Sequence, residues 1–151
     1  MIGYDLDGVL CAGSTFSKSY FRCSAIERRE FLRLRKDYYR NAPVLLRPEG
    51  EFVIISCRRE GYSGITKEWC VVNNLNPQAI YFMPLVRTRQ NMIKYKAEKI
   101  NELGISIFYE DDPKIVKKLT VLCPNTKIVQ VNHCAVKLIK VGGGDNISLP
   151  L

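Results

Sequence analysis

The run Phe52-Val-Ile-Ile-Ser56 narrows the fold of this chain most. Alternate side chains of a strand leave opposite faces, so four consecutive apolar residues would put one apolar face into water unless both faces are covered. A strand of that kind belongs inside a mainly parallel sheet with helices on either side. The flanking segments agree. A short apolar run at the N-terminus ends in Tyr4-Asp-Leu-Asp-Gly8, and strands are also expected at Ala79–Met83, Ile105–Tyr109 and Lys127–Val131. Between them lie helical segments. Ser24, with Glu27 three residues on, has the spacing of a capping box for a helix to about Tyr39, with Ile26, Phe31, Leu34 and Tyr38 on one face. Thr66–Asn73 is helical around Trp69, Arg89–Leu103 ends at Gly104, and a further helix runs to about Leu122. Strand alternating with helix predicts an α/β fold with a mostly parallel five-stranded sheet.

In such sheets ligands bind beyond the carboxyl ends of the strands, where the strand order reverses. The polar groups of interest gather at those ends: Asp5 and Asp7 after the first strand, Ser56 after the second, Glu110-Asp111-Asp112 after the fourth. Asp5 and Asp7 share a face unless the chain bends, and Gly8 is the residue that permits a bend. Carboxylates so close repel unless a cation or proton intervenes, and a hard ion such as Mg2+ prefers oxygen ligands. Phosphoryl transfer suits the set. Asp5 can be the nucleophile, Asp7 the acid and base, and Ser56 a hydroxyl donor, with a lysine as fixed charge. Lys94, Lys96 and Lys99 are the candidates for that lysine. Positions 94 and 96 lie about 200° apart around a helix and cannot both face one site. Lys96 is preferred, with Lys94 as the alternative.

At 151 residues the chain is long enough for a substantial core, and no apolar run approaches the roughly 20 residues of a membrane span. The N-terminus lacks the pattern of a signal peptide. Six cysteines without a CxxC pair, and one histidine, argue for reduced thiols in a cytoplasmic protein and against a zinc site. The net charge is +8, and residues 17–47 carry nine basic against three acidic residues. Such a bias suits a polyanionic partner, although a solvated helix face would look the same.

Four motifs together resemble the haloacid dehalogenase (HAD) superfamily of phosphatases and phosphotransferases: Asp5-Leu-Asp-Gly-Val9, Val53-Ile-Ile-Ser56, a lysine near the start of a helix, and Phe108-Tyr-Glu-Asp-Asp-Pro113. Tyr95-Lys96 matches the family's aromatic-lysine step. The resemblance covers about residues 1–132. It implies a three-layer Rossmann-like fold, with residues 1–141 as one domain, about 12–50 as a short helical insert and minimal cap, and 142–151 as a loose tail. It also implies Asp5 as nucleophile, Asp7 as acid/base, and Ser56, Cys57, Arg58 and Lys96 around the phosphate. Mg2+ would be held by Asp5, the backbone carbonyl of Asp7, and the acids Glu110 and Asp111, with Asp112 able to substitute. Two positions depart from the family pattern. Glu110 opens the last motif where Asp is usual, and Cys57 stands where relatives often carry Gly. Ser56-Cys-Arg-Arg-Glu-Gly61 followed by Thr66-Lys-Glu-Trp69 also resembles the phosphatase half of polynucleotide kinase-phosphatases. Members with so small an insert tend to act on macromolecules, so a nucleotide or nucleic-acid phosphate end is the expected substrate, with stacking from Phe16, Tyr20, Phe21, Tyr38 and Tyr39. The reading from another class is a basic HAD-like module that binds nucleic acid or a phosphorylated partner without turnover.

Overall fold

The computed structural model describes residues 1–13 and 24–133. The expected C-terminal tail and residues 14–23 of the insert, with Phe16, Tyr20 and Phe21, lie outside those residues. The described elements are β1 (Ile2–Tyr4), α1 (Ala25–Asn41), β2 (Phe52–Ser56), α2 (Ser63–Val72, entered through a 3-10 turn at Glu60–Tyr62), β3 (Ala79–Phe82), α3 (Arg89–Glu102), β4 (Ile107–Glu110), α4 (Pro113–Leu122) and β5 (Lys127–Gln130). The sheet is parallel throughout, in the order β3-β2-β1-β4-β5. It is a three-layer, Rossmann-like α/β fold.

β2 is buried along its whole length, as its unbroken apolar run requires. Phe52 and Ile54 pack with Tyr4, Trp69 and Cys70 beneath α2, while Val53 and Ile55 pack with Tyr95, Ile100, Ile115 and Leu119 beneath α3 and α4. The indole nitrogen of Trp69 donates to the Ala42 carbonyl at 2.8 Å, which ties the end of α1 to α2. Ser24 and Glu27 form the capping box reciprocally, and Gly104 follows α3 with φ of +61°.

The expected apolar face of α1 is corrected. Ile26 is 80% exposed and Leu34 41%, and Tyr39 is the buried side chain of the helix. The reason is where the helix touches the body. Its C-terminal half lies against α2, with Tyr39 edge-on to Tyr62, so burial follows position along the helix more than its face. Among the described residues no helix is long and apolar enough to cross a membrane.

Candidate active site

The strand order sets the site. From β1 the chain moves outward through β2 and β3, then returns to place β4 on the other side of β1. The carboxyl ends of β1 and β4 therefore flank the point where the order reverses, the usual ligand position in such sheets. The Asp5 amide donates to the Tyr109 carbonyl at 2.9 Å, extending the ladder so that Asp5 and Glu110 leave the sheet side by side.

One oxygen from each of Asp5, Glu110 and Asp111 lies within 4.8 Å of the others. This buried acidic group could hold a metal ion. Lys96 reaches it from α3, its Nζ 2.9 Å from Asp5 Oδ2 and 2.5 Å from Glu110 Oε2. Glu110 Oε1 accepts the amides of Asp111 and Asp112 at 3.2 and 3.1 Å. Burial pushes the Asp5 carboxyl up to about 7, with Lys96 opposing the rise and Glu110 adding to it. Burial works against the charge on Lys96, but the two carboxylates outweigh it and hold its proton above the ordinary lysine range. Glu110 and Asp111 are likewise raised, chiefly by burial.

Of the three candidate lysines, Lys96 is the one brought to the acids. Lys94 is exposed beside Glu98, and Lys99 pairs with Glu102 at 2.8 Å. Asp112 caps α4 by accepting the Lys114 amide and faces Arg89 at 3.3 Å, apart from the three-carboxylate group.

Asp7 stands apart from those acids. Gly8, with φ of +90°, turns the chain, and the amides of Leu10 and Cys11 fold back onto the Leu6 carbonyl at 3.0 Å. The Asp7 carboxylate meets Arg58 in a two-pronged pair, Nε to Oδ2 at 2.9 Å and Nη2 to Oδ1 at 2.7 Å. Arg58 is only 2% exposed. It also donates to Thr66 Oγ1 at 3.0 Å and lies over the Tyr39 ring at 3.7 Å. Expected on the phosphate, Arg58 thus sits behind Asp7. The Ser56 hydroxyl is fully buried and accepts the Arg58 amide at 3.1 Å.

A cleft of about 200 Å³ opens over the group, lined by Asp5, Asp7, Cys57, Asp111, Tyr39 and Arg87 among others. Cys57 offers no thiolate there at neutral pH, because burial pushes its thiol up to about 12. Tyr39, expected as a stacking aromatic, does line the cleft, whereas Arg87 and Thr66 carry no site role in the sequence reading. Arg87 follows β3, so the rule that located the acids at strand ends applies to it too. Thr66 gives no such signal, because only the fold brings its hydroxyl to the Arg58 guanidinium.

Comparison with known proteins adds one neighbour. No family model matches the chain, and no curated protein matches it. A solved chain described as "Structure of the Pnkp1/Rnl/Hen1 RNA repair complex" superposes with a TM-score of 0.55 at 15% identity, over 87% of this chain and 42% of that one. At that identity the likeness speaks for the fold, and this chain spans less than half of its neighbour.

Proposed function

We propose that this protein is a Mg2+-dependent phosphomonoester hydrolase acting through an aspartyl-phosphate, on a nucleotide or a nucleic-acid phosphate end. The observation that carries the reading is the grouping of Asp5, Glu110 and Asp111 beside a buried lysine at the sheet's switch point. The donor set fits a hard divalent ion: all oxygen, and short of positive charge. Arg58 matches Asp7, Arg89 matches Asp112, and Lys96 serves both Asp5 and Glu110, while Asp111 has no paired cation among the described residues. Apart from the exposed Arg87, two formal negative charges are left over, the charge a divalent cation neutralises. Asp5 and Asp111 line the cleft, and Glu110 keeps a lone pair on Oε2 after its bond to Lys96. When bound, the ion would offset the charge of the phosphoryl oxygens.

The Asp5 carboxylate attacks phosphorus, forming an O–P bond as the ester O–P bond breaks, and the leaving oxygen takes a proton from Asp7. Water then attacks the phosphorus of the aspartyl-phosphate while Asp7 accepts its proton, returning free Asp5 and inorganic phosphate. Arg58 holds both Asp7 oxygens, the Cys11 thiol approaches Oδ1 at 3.6 Å, and the carboxyl so anchored lines the cleft, which positions it for both transfers. Residues 12–50 act as a minimal cap. Tyr39 lines the cleft, and Tyr38 donates to the Ala12 and Gly13 carbonyls at 2.9 and 3.0 Å. The nucleic-acid reading is supported by the basic charge of residues 17–47 and by a structural neighbour described as an RNA repair complex.

Phosphate release from p-nitrophenyl phosphate and from 3′- and 5′-phosphorylated oligonucleotides tests the reading. Wild-type protein should turn over with Mg2+, and Asp5→Asn should lose at least about a hundredfold, as loss of a nucleophile does. Equal rates in the two proteins would remove the assignment. Tight oligonucleotide binding without release would favour the binding module.

A further inference from the structure

The cations expected to meet a phosphate are not on the cleft wall. Lys96 and Arg58 are 1% and 2% exposed, and both are committed to carboxylates. The lining itself carries Asp5, Asp7, Glu110, Asp111 and Asp112. Even with a divalent ion in place, a phosphate dianion entering there brings two further negative charges that the buried pairs do not answer. Arg87 does line the cleft. It is exposed and has no hydrogen-bond or ion-pair partner among the described residues.

Its backbone is braced while its side chain is free. The Val86 carbonyl accepts both the Thr88 amide at 2.9 Å and the Asn91 side-chain amide at 2.8 Å. The start of the same loop is tied down by the Met83 amide, which donates to the Arg58 carbonyl at 3.0 Å. Thr88 then caps α3, the helix that carries Lys96. A planar guanidinium on such a mount can offer two parallel N–H donors to phosphate oxygens, which a lysine cannot match.

We infer that Arg87 is the residue that grips the substrate phosphate in the cleft it shares with the three-carboxylate group. This deepens the hydrolase reading and rests on it for the reaction, but phosphate binding can be measured apart from turnover. The probe is inorganic phosphate, titrated calorimetrically into Mg2+-loaded wild-type protein, Arg87→Gln, Arg87→Lys and Arg59→Gln, the last an exposed arginine outside the cleft. Arg87→Gln should weaken phosphate binding about tenfold or more, as loss of a charge-assisted pair does, and Arg87→Lys should recover part of it. Arg59→Gln should match wild type. With p-nitrophenyl phosphate, Arg87→Gln should raise KM by a similar factor and change kcat less, the mark of an interaction made in ground and transition states alike. Wild-type affinity in Arg87→Gln, or no phosphate binding by wild type, overturns the inference. Phosphate binding that depends on Arg87 without any turnover upholds it and removes the hydrolase reading instead.

Discussion

At the residue scale, Gly8 links the backbone turn to the acidic group. Its φ of +90° lies where residues with a Cβ are strained, and a Cβ built there would stand 2.1 Å from Asp111 Oδ2. The absence of a side chain at position 8 is what lets the Asp111 carboxylate lie beside Asp5. Gly8→Ala should therefore act twice. Thermal stability should fall by about 1 kcal/mol or more from the backbone alone. The displaced Asp111 should also weaken Mg2+ binding, read as a smaller Mg2+-dependent rise in Tm. A variant that keeps the full wild-type Mg2+ response would show that Asp111 is no ligand.

At the element scale, α1 carries the basic surface, but its charge is less available than its composition suggests. Arg33 is held by Glu30 and Asp37 at 2.5 and 3.0 Å, and Arg40 approaches Asp37 at 3.5 Å and Glu68 at 3.9 Å. These exposed pairs add little stability, yet each lowers the charge offered to a polyanion. Arg29 and Lys36 are exposed and have no paired carboxylate among the described residues. Seven residues apart, they share one helix face. If the proposed substrate is an oligonucleotide running along α1, reversing both charges should flatten the dependence of log affinity on log salt by roughly 0.7 for each phosphate that α1 no longer neutralises. Turnover of p-nitrophenyl phosphate should be spared, since on the proposed reading α1 would position the chain and Asp5 would do the chemistry. An unchanged slope would take α1 out of the binding surface.

At the scale of the whole molecule, the acidic group ties folding to pH and, on the proposed reading, to a bound cation. Burial raises the Asp5 carboxyl from an ordinary 3.8 to about 7 in the folded protein. The folded state therefore holds a proton that the unfolded chain releases, so Asp5 favours folding below about 4 and loses that contribution as pH rises through 7. In a chelator, Tm should decline across this window, and the decline should be smaller in Asp5→Asn, whose amide has no proton to lose. Added Mg2+ should raise Tm increasingly toward pH 7, because an ion bound to the folded state alone stabilises it by mass action. A chelator curve as flat in wild type as in Asp5→Asn would mean that the buried acids are already balanced without a cation.

The elements were legible in the amino-acid order because their causes are local. Ser24 and Glu27 cap α1 through bonds three residues apart, and Gly104 ends α3 by a conformation that glycine alone adopts freely. The four apolar residues of β2 required cover on both faces, and that requirement alone implied the layered parallel sheet. The placement of acids at strand ends followed from the same alternation. Partner choice did not, because it depends on distances across the folded chain. Asp5 and Glu110 are 105 positions apart and become neighbours only through the order β2-β1-β4. Arg58 lies 51 positions from Asp7 and is drawn to it because a guanidinium so deeply buried must find a carboxylate. That pairing moves Arg58 off the wall and leaves Arg87 facing the cleft. Sequence determined which chemistry stands at the end of each strand, and tertiary structure decided which of those charges neutralise one another and which remain for a ligand.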